Sequence, residues 1–123
     1  DDARQWLRPL WDRLRELSAE HRAQVSLALA AASEGIGAEW VPSLEAAQQA
    51  WPHEAAVQAA VGTAFAARGL MGKARRPLEY AAADRGLDSA ARRRAWRLLA
   101  VMARGEGDEA RAQRCDQAGA AVD

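Results

Sequence analysis

Apolar side chains recur at helical spacing along almost the whole chain. The clearest segment is 53–68, whose apolar positions are Val57, Ala60, Val61, Ala64 and Phe65. This i, i+3, i+4, i+7, i+8 spacing is typical of a helix with one core face. Similar spacing predicts helices at 3–17, 19–34, 38–51, 73–85, 89–104 and 109–118. Because no run of β-branched residues interrupts the pattern, we predict an all-α protein of about seven helices.

Glycine recurs at a nearly constant interval between these helices. Gly35 lies 34 residues before Gly69, and Gly105 lies 36 residues after it. Such a period is typical of stacked supersecondary units, and the two extra residues of the last interval are assigned to the loop from Arg85 to Asp88. We therefore predict a single domain, 1–123, built as a right-handed stack of antiparallel helical hairpins. It comprises a leading helix at 3–17, which Pro9 should kink or divide, and hairpins at 18–52, 53–87 and 88–121.

Small residues at matching depths in the three hairpins give the pattern a family resemblance. Three positions recur in each hairpin: a residue where the two helices cross, a glycine in the turn, and a residue early in the second helix. They are Ala28, Gly35 and Trp40 in the first hairpin, Gly62, Gly69 and Ala74 in the second, and Leu98, Gly105 and Ala110 in the third. This arrangement resembles the tetratricopeptide repeat, which places a small residue, a glycine and an alanine at these positions. The middle hairpin fits throughout. Trp40 and Leu98 depart from the pattern, so wider helix crossings are expected there.

The resemblance implies a concave groove lined by the first helix of each hairpin. By register, the partner groove would comprise Arg22, Val25, Leu29, Ser33, Ala56, Ala59, Thr63, Ala66, Arg92, Ala95, Leu99 and Met102. Since most of these side chains are small or apolar, a desolvated peptide carboxylate would find few donors. The expected occupant is a protein or an amphipathic peptide helix. The leading helix could fill this groove or stack beside the first hairpin, and stacking is favoured.

A narrower resemblance comes from Leu10-Trp11 with Leu14 and from the segment 69–79, GLMGKARRPLE. These motifs are similar to the C-terminal region of HemY-type proteins, inner-membrane proteins of bacteria associated with haem biosynthesis, although that family usually has Trp where this chain has Met71. The resemblance implies an interaction scaffold of a membrane-associated assembly, on the cytoplasmic side, tethered through an upstream anchor. Two alternatives stay open: a porphyrin-pathway enzyme or haem-binding protein, and a homo-oligomerisation module.

Composition and isolated reactive residues argue against chemistry in this chain. The seventeen basic and seventeen acidic residues cancel, which gives no electrostatic argument for nucleic acid. His21 and His53 lack neighbours at metal-ligand spacing, Cys115 has no partner for a disulfide, and no Gly-rich phosphate loop is present. We therefore predict a non-enzyme with no catalytic residues, no cofactor and no metal.

The densest charge cluster is Arg92–Arg94 with Arg97. A patch for nucleic acid or anionic lipid would place these arginines on one face, but the run covers almost a full helical turn. We favour a solvated helix face, with carboxylate partners at Asp84, Asp88 or Glu54.

Overall fold

A computed structural model describes residues 2–123; Asp1, the first residue of the predicted domain, lies outside the described residues. Seven α-helices account for most of this part of the chain, and two short 3-10 helices lie at Leu14–Glu16 and Ala38–Trp40. The α-helices are α1 (Asp2–Trp11), α2 (Ala19–Ala31), α3 (Val41–Ala50), α4 (Ala55–Ala67), α5 (Met71–Ala83), α6 (Ser89–Gly105) and α7 (Glu109–Ala120). The described residues contain no strand, so the all-α prediction is confirmed.

The helices pack in an order that follows the chain. Helix α4 packs along α5, and α6 packs along α7; since only three residues join each pair, the two helices of a pair run antiparallel. Contacts of α2 with α4 and of α5 with α6 join successive hairpins, whereas α2 and α3 make little direct contact. This order of neighbours is the one expected of stacked hairpins. The right-handed sense of the stack stays a prediction.

Helix α4 is the centre of the core. It contacts α2, α3, α5 and α6, so every residue from Ala56 to Ala66 is buried. Gly62 allows α5 to approach closely, because a Cβ added there would lie 2.7 Å from Leu78 Cγ and 3.1 Å from the Leu78 backbone nitrogen. The expected close crossing at Gly62 is therefore present. The close packing of α4 and α5 requires a residue without a side chain at position 62. This requirement outweighs the poor helix propensity of glycine.

The third hairpin differs from its predicted register. The glycines with positive φ are Gly35, Gly69 and Gly107, at 76°, 75° and 79°, while Gly105 is the last residue of α6. The same turn bond, from the third residue after the helix back to its last turn, joins Leu70 N to Phe65 O and Asp108 N to Ala103 O, each at 2.9 Å. The interval between the equivalent turn glycines Gly69 and Gly107 is therefore 38 residues. The choice of Gly105 as the turn glycine was wrong.

The extra residues lie inside a helix and not in the loop from Arg85 to Asp88. Helix α6 has 17 residues and α4 has 13, a difference of about one α-helical turn. With this register Ala100 occupies the position of Gly62, and Ala112 that of Ala74; both alanines are buried, while Ala110 is exposed. The third hairpin thus does have a small crossing residue, displaced from the predicted Leu98.

The first hairpin departs from prediction, while the leading segment is divided as expected, although the break lies after Trp11 and not at Pro9. Ala28 is exposed and does not lie at a buried helix crossing. The predicted leading helix, 3–17, ends at Trp11, two residues beyond Pro9, and continues as a separate 3-10 helix. Trp11 packs against Trp40 with ring centroids 6.5 Å apart.

The leading helix stacks on the first hairpin. Helix α1 contacts α2, and the Arg4 guanidinium donates to the backbone oxygens of Ala32 at 2.8 Å and Glu34 at 2.6 Å. These carbonyls belong to the C-cap of α2 and to the turn that follows it. Arg4 therefore ties α1 to the turn after α2. Trp6, in contrast, is 79% exposed.

Candidate functional site

The predicted groove residues lie on or beside α2, α4 and α6, but most of their side chains are inside the stack. Leu29, Ser33, Ala56, Ala59, Thr63, Ala66, Ala95, Leu99 and Met102 are buried, and Arg22, Val25 and Arg92 are partly exposed. The buried members pack helix against helix, so a partner could touch little of them. Their role as a partner groove stays a prediction. Leu29, which has no exposed surface, is a core residue in this structure.

Three of these residues do border an open cleft, here called the three-helix cleft. Ser33, Thr63 and Ala66 line it where the end of α2 and the last turns of α4 face the middle of α6. The other lining residues are Ala30, Ala31, Glu34, Gly35, Ala67, Arg94, Arg97 and Leu98. The cleft has a volume of about 360 Å³. It therefore spans the first helix of each hairpin, which is where the repeat pattern placed a binding surface.

The floor of the three-helix cleft is made of short side chains. Ala30 and Ala66 are buried, and the Ser33 hydroxyl donates to the backbone oxygen of Leu29 at 2.8 Å. This bond satisfies the hydroxyl through a carbonyl of the last turn of α2. A ligand would consequently meet methyl groups and backbone along the floor and would reach polar side chains chiefly at the walls.

The arginine wall was not predicted as part of a site. Arg94 and Arg97 are three residues apart on α6, so they are neighbours on one helical face. Neither has an ion pair within the described part of the chain. Glu34 also lines the cleft, and its negative charge offsets one of the two arginines. The lining residues therefore carry one excess positive charge. The i, i+3 spacing was the available signal, but the sequence did not show which face α4 would cover.

The predicted carboxylate partners of the arginine cluster are engaged elsewhere. Glu54 accepts from Arg22, Asp88 caps α6 by accepting from the Ala91 backbone, and Asp84 accepts from the backbone of Gly86. The pairing prediction for this cluster was therefore wrong. Arg92 instead donates its Nε to the backbone oxygen of Ala82 at 3.1 Å.

Four of the eight ion pairs in residues 2–123 join one hairpin to the next. Arg22 binds Glu54 through two hydrogen bonds, of 2.9 Å and 2.6 Å, and the hydrogen bond to Glu54 raises the pKa of Arg22. Further pairs are Lys73–Glu45, Arg75–Glu106 and Arg111–Glu79. Apart from Arg22–Glu54, these pairs lie at the surface, where an ion pair contributes little stability. The charged side chains of these four ion pairs already have partners within the protein, so they are less suited to binding a ligand.

Reactive groups do not converge in this structure. Among residues 2–123, no three of the His, Cys, Asp and Glu side chains come together in a way that could hold a metal ion. His21 and His53 are exposed, and the thiol-bearing Cys115 is buried in the last hairpin. No helix in the described region has both the length and the apolar character needed to cross a bilayer.

Comparison of the chain with protein-family models, curated proteins and solved structures gave no significant match. The functional argument therefore depends on the geometry and charge of this chain's own residues.

Proposed function

We propose that this protein is a helical-repeat interaction module that holds a segment of another protein in the three-helix cleft. The observation that carries the proposal is that one open cleft crosses α2, α4 and α6 and combines an alanine-rich floor with two unpaired arginines. Short side chains let a partner backbone or helix approach closely, so that binding depends on shape complementarity and burial. No bond is made or broken.

The charges refine the expected partner. A purely apolar helix would leave Arg94 and Arg97 without an electrostatic partner. A segment with small residues on one face and acidic residues beside them would satisfy both arginines by charge-assisted hydrogen bonds. The favoured occupant is therefore a small-residue peptide helix that carries Asp or Glu at its edge. The assignment to a haem-associated membrane scaffold, with an upstream anchor, remains a prediction of the family resemblance.

A selection from a displayed library of helical peptides tests this proposal. We expect enrichment of acidic sequences, and we expect the selected peptide to bind the Arg94→Glu, Arg97→Glu double variant at least about tenfold more weakly, because the interaction becomes repulsive. Arg93→Glu is the matched control, because Arg93 is exposed on the same helix and does not line the cleft. Selected peptides without acidic residues, or equal loss in both variants, would reject the cleft as the binding site.

A second candidate, self-association, is favoured by one observation on α1. Trp6 and Leu10 lie four residues apart, so they share one helical face, and they are 79% and 43% exposed. Sedimentation at increasing concentration should then reveal a mass that rises for the wild type and stays monomeric for Trp6→Gln. A monomer at all concentrations would eliminate this candidate.

A further inference from the structure

A second cleft, here called the α6–α7 cleft, lies in the last hairpin and shares no lining residue with the three-helix cleft. Its apolar lining consists of Trp96, Leu99, Ala118 and the thiol-bearing Cys115, and its volume is about 350 Å³. Helix α7 turns small residues toward α6, including Gly119, where an added Cβ would lie 3.1 Å from Trp96 Cβ. The apolar side chains that α7 contributes to the cleft, Cys115 and Ala118, are small.

The indole of Trp96 has an unmet hydrogen-bonding requirement. Its Nε1 is buried and has no acceptor in the described part of the chain, a condition shared there only with the hydroxyl of Ser26. An indole N–H is a donor only, and buried donors in folded proteins are nearly always paired. Trp96 also lines the α6–α7 cleft, so the signal of this indole N–H reports on what binds there.

The charges at the mouth of the α6–α7 cleft favour an anion. Arg111 donates to Glu79 at 3.0 Å, so these two charges neutralise each other. Arg114 also lines the cleft and has no ion pair within residues 2–123. The planar guanidinium of Arg114 is suited to a carboxylate, which can accept two parallel hydrogen bonds.

We propose that the α6–α7 cleft is a binding site for a small organic acid. Its carboxylate would pair with Arg114, and its apolar body would lie along Trp96 and Leu99. A cleft of about 350 Å³ is at the lower end of the range for small-molecule sites. The ligand is therefore a single-ring aromatic acid or a short aliphatic acid. This site is independent of the proposed protein-binding function.

Titration of the ¹⁵N-labelled chain with 4-phenylbutyrate tests the site. The chain has five tryptophans, and the Trp96→Phe variant identifies which indole N–H signal belongs to Trp96. We expect a saturable shift of that signal, with the uncharged 4-phenylbutanamide binding at least about tenfold more weakly. Arg114→Gln should weaken binding by a similar factor, since it removes a charged hydrogen bond. Arg93→Gln, which changes an exposed arginine of α6 that lines neither cleft, should leave binding unchanged.

Access to Cys115 provides a second measurement. Because this thiol lines the same cleft, saturating 4-phenylbutyrate should slow its reaction with a small disulfide reagent severalfold. The proposal is overturned if the amide binds as well as the acid or if Arg114→Gln, shown to be folded by circular dichroism, binds normally. An equal shift by inorganic phosphate would also overturn it, because phosphate offers charge without an apolar body. The proposal is likewise overturned if 4-phenylbutyrate does not shift the indole N–H signal of Trp96.

Discussion

Gly62→Ala is expected to destabilise the protein although alanine is the better helix former. The added Cβ would lie 2.7 Å from Leu78 Cγ and 2.9 Å from Leu78 Cδ2, distances that real Cβ atoms essentially never show. Leu78 is completely buried, so its side chain cannot swing into solvent. The Leu78 backbone nitrogen, at 3.1 Å, also limits how far α5 can adjust. Helices α4 and α5 must consequently move apart.

The magnitude follows from two opposing effects at Gly62. Alanine in place of glycine inside a helix contributes about 1 kcal/mol of stabilisation. Overpacking a buried contact costs about 1–3 kcal/mol, and the backbone contact here puts the cost toward the upper end of that range. We therefore expect a net loss of about 1–2 kcal/mol. For a chain of 123 residues this corresponds to a Tm lower by about 4–8 °C.

Urea unfolding followed by circular dichroism measures this loss, with Gly72→Ala as the matched control. Gly72 is an exposed residue of α5, and an added Cβ there would meet nothing within 4 Å, so its replacement should stabilise the protein by up to about 1 kcal/mol. In a Leu78→Ala background the cost of Gly62→Ala should fall. If Gly62→Ala is as stable as the wild type, or if its cost is unchanged without the Leu78 side chain, the close crossing of α4 and α5 is refuted.

Three further predictions concern the turns and ion pairs. Gly107→Ala should cost about 1 kcal/mol in thermal unfolding because Gly107 has a φ of 79°, whereas Gly105→Ala should be neutral or stabilising; the reverse result would restore Gly105 as the turn residue. Arg22→Gln should lower the free energy of unfolding by about 1–3 kcal/mol, and an unchanged urea midpoint would contradict this. A hydrogen bond from Arg13 lowers the pKa of Glu16 below its ordinary 4.5, so this carboxylate stabilises the fold above pH 4.5 and loses that effect as the pH falls through its lowered pKa. A carboxyl ¹³C titration midpoint at or above 4.5 would disprove it.

The spacing of apolar residues was sufficient to predict where most helices lie. It did not predict which residues of neighbouring helices and hairpins are equivalent. Residues 53–68 predicted a helix that the structure places at Ala55–Ala67, because the spacing of apolar side chains is a local property of the chain. Gly105 and Gly107 both follow an apolar helix pattern, and local sequence does not distinguish them. Their roles depend on whether Ala100 and Ala112 are buried against neighbouring helices, which is a matter of packing.

The two candidate clefts could be identified only from the tertiary structure. The arginine run in α6 was evident, but only the course of α4 determines that Arg94 and Arg97 face an open cleft while Arg92 reaches the backbone of Ala82. The unpaired Trp96 indole could not be predicted either, since the hydrogen bonding of a buried side chain depends on its tertiary neighbours. Its environment is created by small residues of α7 that lie about twenty positions further along the chain.

By itself, the order of amino acids determined that this protein is helical, where most helices run and that glycine must separate them. Hydrophobic period and turn preference act over a few residues, so they are legible in one dimension. The three-dimensional arrangement alone decided which small residue lies at each crossing, that α6 has an additional turn, and which charges remain unpaired. Those outcomes depend on contacts between residues far apart in the chain, where burial and steric fit outweigh local preference.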